Sequence, residues 1–289
     1  MMNDGKAVVE SFLKVLPPVE FCCVYGSALH PNNNDKSKLV DYILGVSNPL
    51  EWHAENLKLN GDHYASCLLH LGGEKLITDI ADNIGVGAHF NPYVTWNDKM
   101  FKYGVIGMHN LVQDILNWER FYLCGRLQKP VHILVDNLDV ENLNSVNLRA
   151  ALSAALLLLP KKFPEEDLYA KICSLSYMGD LRMLFAEDRF KDCSLSTVHT
   201  LVSSLPPVVR SEMAVNLGGK KHFSESGQAL CELMISTREE AAKCMQKILK
   251  RKVMVSSARQ AISGLLAVGG VNGMRYLGSK MKKAWKSWM

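Results

Sequence analysis

Gly26 and Ser27 close an apolar segment that runs from Val19, and a single carboxylate, Asp41, interrupts the next one, Leu39 to Val46. These residue types at this spacing suit metal-dependent nucleotidyl transfer. That chemistry needs backbone N–H groups and a hydroxyl to hold nucleotide phosphates, and a carboxylate on rigid structure to hold Mg²⁺ against the α-phosphate. Gly26 lets phosphates approach the backbone beside Tyr25, Ser27 supplies the hydroxyl, and Asp41 supplies the metal ligand. Lys102, next to Tyr103 in FKYGVIG, is a cation for the triphosphate as pyrophosphate leaves. Taken alone, the same residues also describe an ordinary strand-to-helix turn, an edge-strand aspartate and a solvated strand-end lysine.

Positioning these groups requires strands. Val19 to Val24 and Leu39 to Val46 read as buried strands on either side of an exposed loop, HPNNNDKSK. Helical spacing predicts one helix over Pro49 to Leu71, closed by Gly72-Gly73, and another over Leu76 to Asn83. Gly85–Phe90 with Tyr93–Trp96 suggests a hairpin or an irregular strand pair. Phe101–Gly107 reads as a strand leading into a helix over His109 to Cys124. Beyond Pro130 a short strand, VHILV, gives way to helices at Ser145–Leu159 and Glu165–Cys173, then to a Ser/Pro/Gly-rich segment over Cys193–Lys221 that reads as a linker, and finally to a helix over Arg238–Lys252. The expected class is α+β, with domains at 1–135, 136–235 and 236–289.

Charge is distributed unevenly. Residues 241–289 hold eleven Lys and Arg and no Asp or Glu, so all 29 acidic side chains lie in the rest of the chain. With Tyr276, Met281, Trp285 and Trp288 among these cations, the tail suits an anionic membrane surface better than nucleic acid or plain solvent. The longest apolar run, Ala150–Leu159, is about half of the ~20 residues a bilayer span requires, and it reads as core. The eight cysteines lack zinc spacing, and Cys22 and Cys23 read as small core residues.

The phrases YGSALHP, LVDYILGV, DHYAS, VGAHFNP, KYGVIGMHNLVQDILNWERFYLCGRLQKPV, NLRAAL and SLSYMGDLRM, in this order, resemble the Tam41 family of mitochondrial phosphatidate cytidylyltransferases, with plant-like wording. The resemblance covers about Pro17–Asp188 and resumes near Glu239. It implies a polymerase-β-like nucleotidyltransferase domain, a winged-helix-like domain, and a C-terminal amphipathic helix on the matrix side of the mitochondrial inner membrane. The implied reaction joins CTP and phosphatidic acid to give CDP-diacylglycerol and pyrophosphate with Mg²⁺. Two departures stand out. The second carboxylate of the common nucleotidyltransferase pattern is replaced by Ile43, as in the family, so the metal must use phosphates, water or a distant carboxylate such as Asp114 or Asp180. After SYMGDLRMLFAEDRFK the chain also passes quickly to its Ser/Leu/Pro segment, as a shortened form would.

Arg126 and Lys129 are placed to bind phosphatidate or CTP phosphates, and His63 with Tyr64 in DHYAS to contact the nucleotide or headgroup. His70 and His89 read as structural. Asp180 and Arg182, near one another in sequence, either pair on a helix or serve the active site. Rival readings are a nucleotidyltransferase with another acceptor and a non-catalytic membrane-bound assembly factor.

Overall fold

The computed structural model describes residues 11–26, 39–97, 99–178, 195–218, 221–223, 229–231 and 235–268. They fall into two compact units. One lies within Met1–Leu111, Pro130–Val140 and Ala258–Met289, and the other within Val112–Lys129 and Glu141–Ser257. This division differs from the sequential one expected, because each unit draws on segments far apart in the chain.

The first unit is built on a five-stranded mixed sheet. Strands β1 (Phe21–Tyr25), β2 (Val40–Val46), β3 (Ala88–Trp96), β4 (Lys99–Gly107) and β5 (His132–Asp136) lie in the order β3-β4-β2-β1-β5, with β2 and β4 parallel and the other neighbours antiparallel. The stretch from Gly85 to Trp96 therefore supplies one strand, Ala88–Trp96, rather than two, bent by a register shift between Asn91 and Val94, where Tyr93 takes φ +61°. Side chains alternate between the faces. One face buries Cys22, Val24, Tyr42, Leu44, Val46, Phe101 and Val105 together with Phe12, Leu16 and Trp52. Phe12 stacks on Phe101 at 4.3 Å, and Trp52 Nε1 donates to the Pro18 carbonyl at 3.0 Å. On the other face, Gly45 leaves room for Phe21, Met108 and Leu111.

The expected long helix after Asn48 is broken. It runs over Pro49–Leu59, gives a single 3₁₀ turn at Gly61–His63, and restarts at Ser66–Leu71. Asn60 ends it by donating its side-chain amide to Asn56 Oδ1 and to the Val15 carbonyl, each at 2.8 Å. A helix over Gly73–Asp79 then widens into a π-turn at Ile80–Ile84.

The second unit is helical around one core. Ala151, Ala154, Leu157 and Leu158 of the helix Val140–Leu158 pack with Val198, Val202, Val209 and Met213 of the helices Leu195–Ser203 and Pro207–Asn216. What reads as a linker in sequence thus supplies core residues, since Pro206-Pro207 starts a helix there. The last helix, Arg238–Val268, contributes Ala241, Ala242, Met245, Ile248, Leu249 and Val253 to the same core. Its first turns are therefore structural rather than a detachable tail, and the Arg238 guanidinium donates to the carbonyls of Leu156 and Leu159.

The helix expected over His109–Cys124 stops at Asn117 because Asp114 gathers the chain that follows. Its Oδ1 accepts from the backbone N–H groups of Arg120 and Phe121, at 2.9 and 2.7 Å. Its Oδ2 accepts from Tyr122, Leu123 and Cys124, at 3.2, 2.8 and 3.0 Å. The turn is tight enough to put Trp118 and Phe121 at φ +53° and +52°. Hydrogen bonds to a buried charge contribute about 1.5–3 kcal/mol each, so Asp114→Asn should lower the unfolding free energy by more than about 3 kcal/mol. Urea denaturation checks this, and an unchanged midpoint would show that the ring of N–H groups holds the loop without the carboxylate's charge.

Candidate active site

Strand pairing, rather than proximity in sequence, brings the candidate groups together. Asp41 lies opposite Tyr25 on β1 and opposite Lys102 on β4. Lys102 Nζ is 3.5 Å from Asp41 Oδ1, with the two side chains 19% and 23% exposed. The ammonium also sits 4.9 Å from the centre of the Phe90 ring, which fits against the sheet because Gly104 has no side chain. Gly26 follows β1 with φ +92°, a conformation that favours glycine, and a Cβ there would stand 3.2 Å from Asp41 Oδ2. A glycine turn, a carboxylate and a lysine therefore share one end of one sheet face. Phe90 has no signal in the sequence, because its role depends on the register of β3 against β4.

Not every expected residue joins them. Ser27, Asp180, Arg182 and the tail from 269 lie outside the described residues. His63 bonds through Nδ1 to the Tyr103 hydroxyl at 2.9 Å. Tyr103 follows Lys102 in β4, so it points to the opposite face of the sheet. There a polar network fills the space: Asn56 donates to the hydroxyls of Tyr64 and Tyr103, His53 pairs with Tyr64 at 2.8 Å, and His89 with Asn91 at 3.0 Å. His63 and Tyr64 belong to this network. Arg126 and Lys129 lie in the second unit. The Arg126 guanidinium is 3.7 Å from the Tyr122 ring centre, and Lys129 donates to Ser176 Oγ at 2.6 Å.

Among the described residues, no group of three or more His, Cys, Asp or Glu is placed to hold a metal ion. Asp114 has both oxygens committed to backbone N–H groups, which removes it as a distant ligand. Of the candidate carboxylates among the described residues Asp41 remains, and one carboxylate suits an ion that keeps its waters and takes its other ligands from substrate phosphates, as Mg²⁺ does.

An α+β unit built on a five-stranded mixed sheet, with a glycine, a carboxylate and a lysine gathered at one end of one face, is the class this geometry defines. A family model described as mitochondrial phosphatidate cytidylyltransferase (Tam41/Mmp37) matches residues 8–192 and 190–283. Proteins named mitochondrial phosphatidate cytidylyltransferase are similar over most of the chain. That of Mus musculus is 30% identical, covering 92% of this chain and 90% of its own length. That of Bos taurus is 31% identical over the same shares, and that of Schizosaccharomyces pombe is 32% identical, covering 82% and 60%. The chain belongs to the Tam41/Mmp37 family.

The network opposite the site makes stability depend on pH. Burial, and then the neighbouring His89, hold His53 well below the ordinary histidine range, and burial brings His89 down to about 4 against the opposing bond from Asn91. The native state therefore binds fewer protons than the unfolded chain below the ordinary value of about 6.5. Stability is complete above that pH and should fall on acidification toward 4, by up to about 1.4 kcal/mol per pH unit for each histidine. Urea titrations between pH 7 and 4 check this, with His89→Gln removing its share of the slope; an equal slope in the variant would assign the acid sensitivity elsewhere.

Proposed function

We propose that the chain transfers CMP from CTP to phosphatidic acid, giving CDP-diacylglycerol and pyrophosphate for mitochondrial phosphatidylglycerol and cardiolipin synthesis. The observation that carries this reading is the register pairing of Asp41 with Lys102 beneath Gly26, in a chain that belongs to this family along most of its length. An oxygen of the phosphatidate phosphate forms a bond to the α-phosphorus of CTP as the bond to the β-phosphate bridging oxygen breaks, and pyrophosphate carries away that electron pair. Lys102 offsets the charge gathering on the leaving group, while Gly26 and Ser27 cradle it. Asp41 would hold Mg²⁺, which when bound supplies charge neutralisation and orientation to the phosphates. A phosphate nucleophile that is already anionic needs no general base.

In this reading the first unit is a nucleotidyltransferase domain. The helices at 195–203 and 207–216, followed by the antiparallel pair Lys221–Phe223 and Ala229–Cys231, belong to a winged-helix-like domain. The protein sits peripherally on the matrix side of the inner membrane, and among the described residues no helix is long and apolar enough to cross a bilayer. One observation favours a non-catalytic assembly factor instead. The family model matches in two parts meeting at 190–192, and alignment to the mouse protein runs over 306 positions, more than the 289 residues here, which supports a stretch missing from this chain. Conversion of CTP to CDP-lipid on phosphatidate vesicles separates the two readings: Mg²⁺-dependent CTP binding without turnover would favour the assembly factor.

Asp41→Asn should reduce turnover roughly a hundredfold or more, equivalent to about 3 kcal/mol of transition-state stabilisation, with the unfolding midpoint unchanged. Near-normal turnover would remove Asp41 from the mechanism. The tail is tested by a cut after Val268 rather than near Arg251, because Val253 is core and Arg259 donates to the Gly85 and Asn83 carbonyls at 2.7 Å. Each Lys or Arg near an anionic surface contributes about 1 kcal/mol. The full chain should therefore co-sediment with cardiolipin vesicles in low salt, and the shortened one should not. Sedimentation indifferent to both salt and the cut would refute the membrane reading.

A further inference from the structure

Lys102 is held from two sides. Asp41 Oδ1 lies 3.5 Å from its ammonium nitrogen, and the centre of the Phe90 ring lies 4.9 Å from it. Among the described residues these are its partners, one charged and one not. Register brings the ring to the ammonium. Phe90 stands opposite Gly104 on β4, and Gly104 shares a sheet face with Lys102, two residues before it. With no side chain at 104 the ring lies across the strand, since a Cβ there would stand 2.8 Å from each of two ring carbons. Phe90 is 5% exposed and the Lys102 side chain 19%, so water competes little for the ring face.

The two partners act differently. A carboxylate neutralises an ammonium, whereas the negative face of an aromatic ring attracts it and leaves its charge available. In the reaction proposed above, the Asp41 carboxylate also holds a divalent cation, and a carboxylate shared between two cations attracts each of them less. The tie to Asp41 therefore loosens when the nucleotide is in place, which is when Lys102 has to face the leaving pyrophosphate. A lysine on its flexible four-carbon stem gains rotamer freedom by swinging away. Among the described residues, the Phe90 ring is the partner that still opposes this.

We propose, resting on the function above, that Phe90 is a positioning residue: its ring face keeps the Lys102 ammonium in the site while Asp41 is engaged elsewhere. Phe90 touches no reacting atom and acts through Lys102.

Replacing the Phe90 side chain by that of pentafluorophenylalanine in the full chain tests this. Fluorine keeps the ring's shape and apolar character but withdraws the electron density that attracts a cation. With dihexanoyl phosphatidate and CTP in Mg²⁺, kcat should fall roughly three- to thirtyfold, the range expected for losing one partly desolvated cation–ring contact. The KM for CTP should change less, because Lys102 serves charge that gathers only as pyrophosphate leaves. A second readout needs no turnover: the rate at which a dilute N-hydroxysuccinimide ester acetylates Lys102, followed by mass spectrometry in the Asp41→Asn background. There the ring is the remaining partner, and the fluorinated ring should speed acetylation of Lys102 several-fold while leaving the exposed Lys58 unchanged. No change in either readout would overturn the proposal and leave Phe90 as filling over Gly104. Faster acetylation with kcat unchanged would reveal a contact the reaction does not use, and a lower kcat with acetylation unchanged a ring that acts elsewhere; either overturns it. A loss seen only with Phe90→Leu, the fluorinated ring behaving as the native one, would assign the effect to packing and overturn it equally. If the unaltered chain makes no CDP-diacylglycerol, the reaction itself fails, and acetylation alone decides whether the ring holds the ammonium.

Discussion

The parallel pairing of Val40–Val46 with Phe101–Gly107 is the constraint on which the first unit depends. Parallel strands in the middle of a sheet are covered on both faces and must be apolar almost throughout. Both segments meet that demand except at their shared end, where each carries one charge. Pairing in register sets those two charges opposite one another, at the place where β1 ends in a left-handed glycine. Shifting the register by one residue would turn Asp41 into the aromatic core beneath Phe12 and Trp52 and bring Tyr42 to the other face. The apolar pattern that stabilises the sheet therefore also fixes the geometry of Asp41 and Lys102 beside Gly26.

How much of this was legible depended on whether the signal was local. A lone aspartate in an apolar run and a glycine after another are visible in one dimension, so the candidate residues could be named, whereas their meeting at one sheet end depends on the pairing of β2 with β1 and β4. The break at Asn60-Gly61 and the helices over 195–216 were hidden, because turn residues there end or start helices instead of marking loops. The loop after Asn117 was hidden for a different reason. Its apolar spacing continues the helical period, and only the carboxylate of Asp114, reaching up to ten residues ahead, turns the chain. His63 and Tyr64 carried functional residue types but fell on the wrong side of a strand, which no spacing within DHYAS could show.

Several of the phrases that carry the family resemblance now have a mechanical meaning. Asp114 and the N–H groups it collects lie in VQDILNWERFYLCGRLQKP, Asn147 lies in NLRAAL, and Ser176 with Tyr177 lies in SLSYMGD. They are the parts of one scaffold, assembled from three separate stretches of the second unit.

The interleaving of the chain sets the order in which the molecule can form. The sheet is complete once Asp136 has been made, but the helical core needs Ala241–Val253, and Arg259 closes a contact with Gly85 across 174 residues. Neither unit can finish before the C-terminal helix exists. Nascent chains must carry an open second core until almost the whole sequence is available, which makes folding slow and late-closing. During that interval the apolar face of the helix over Val140–Leu158 is the surface most in need of protection by a chaperone.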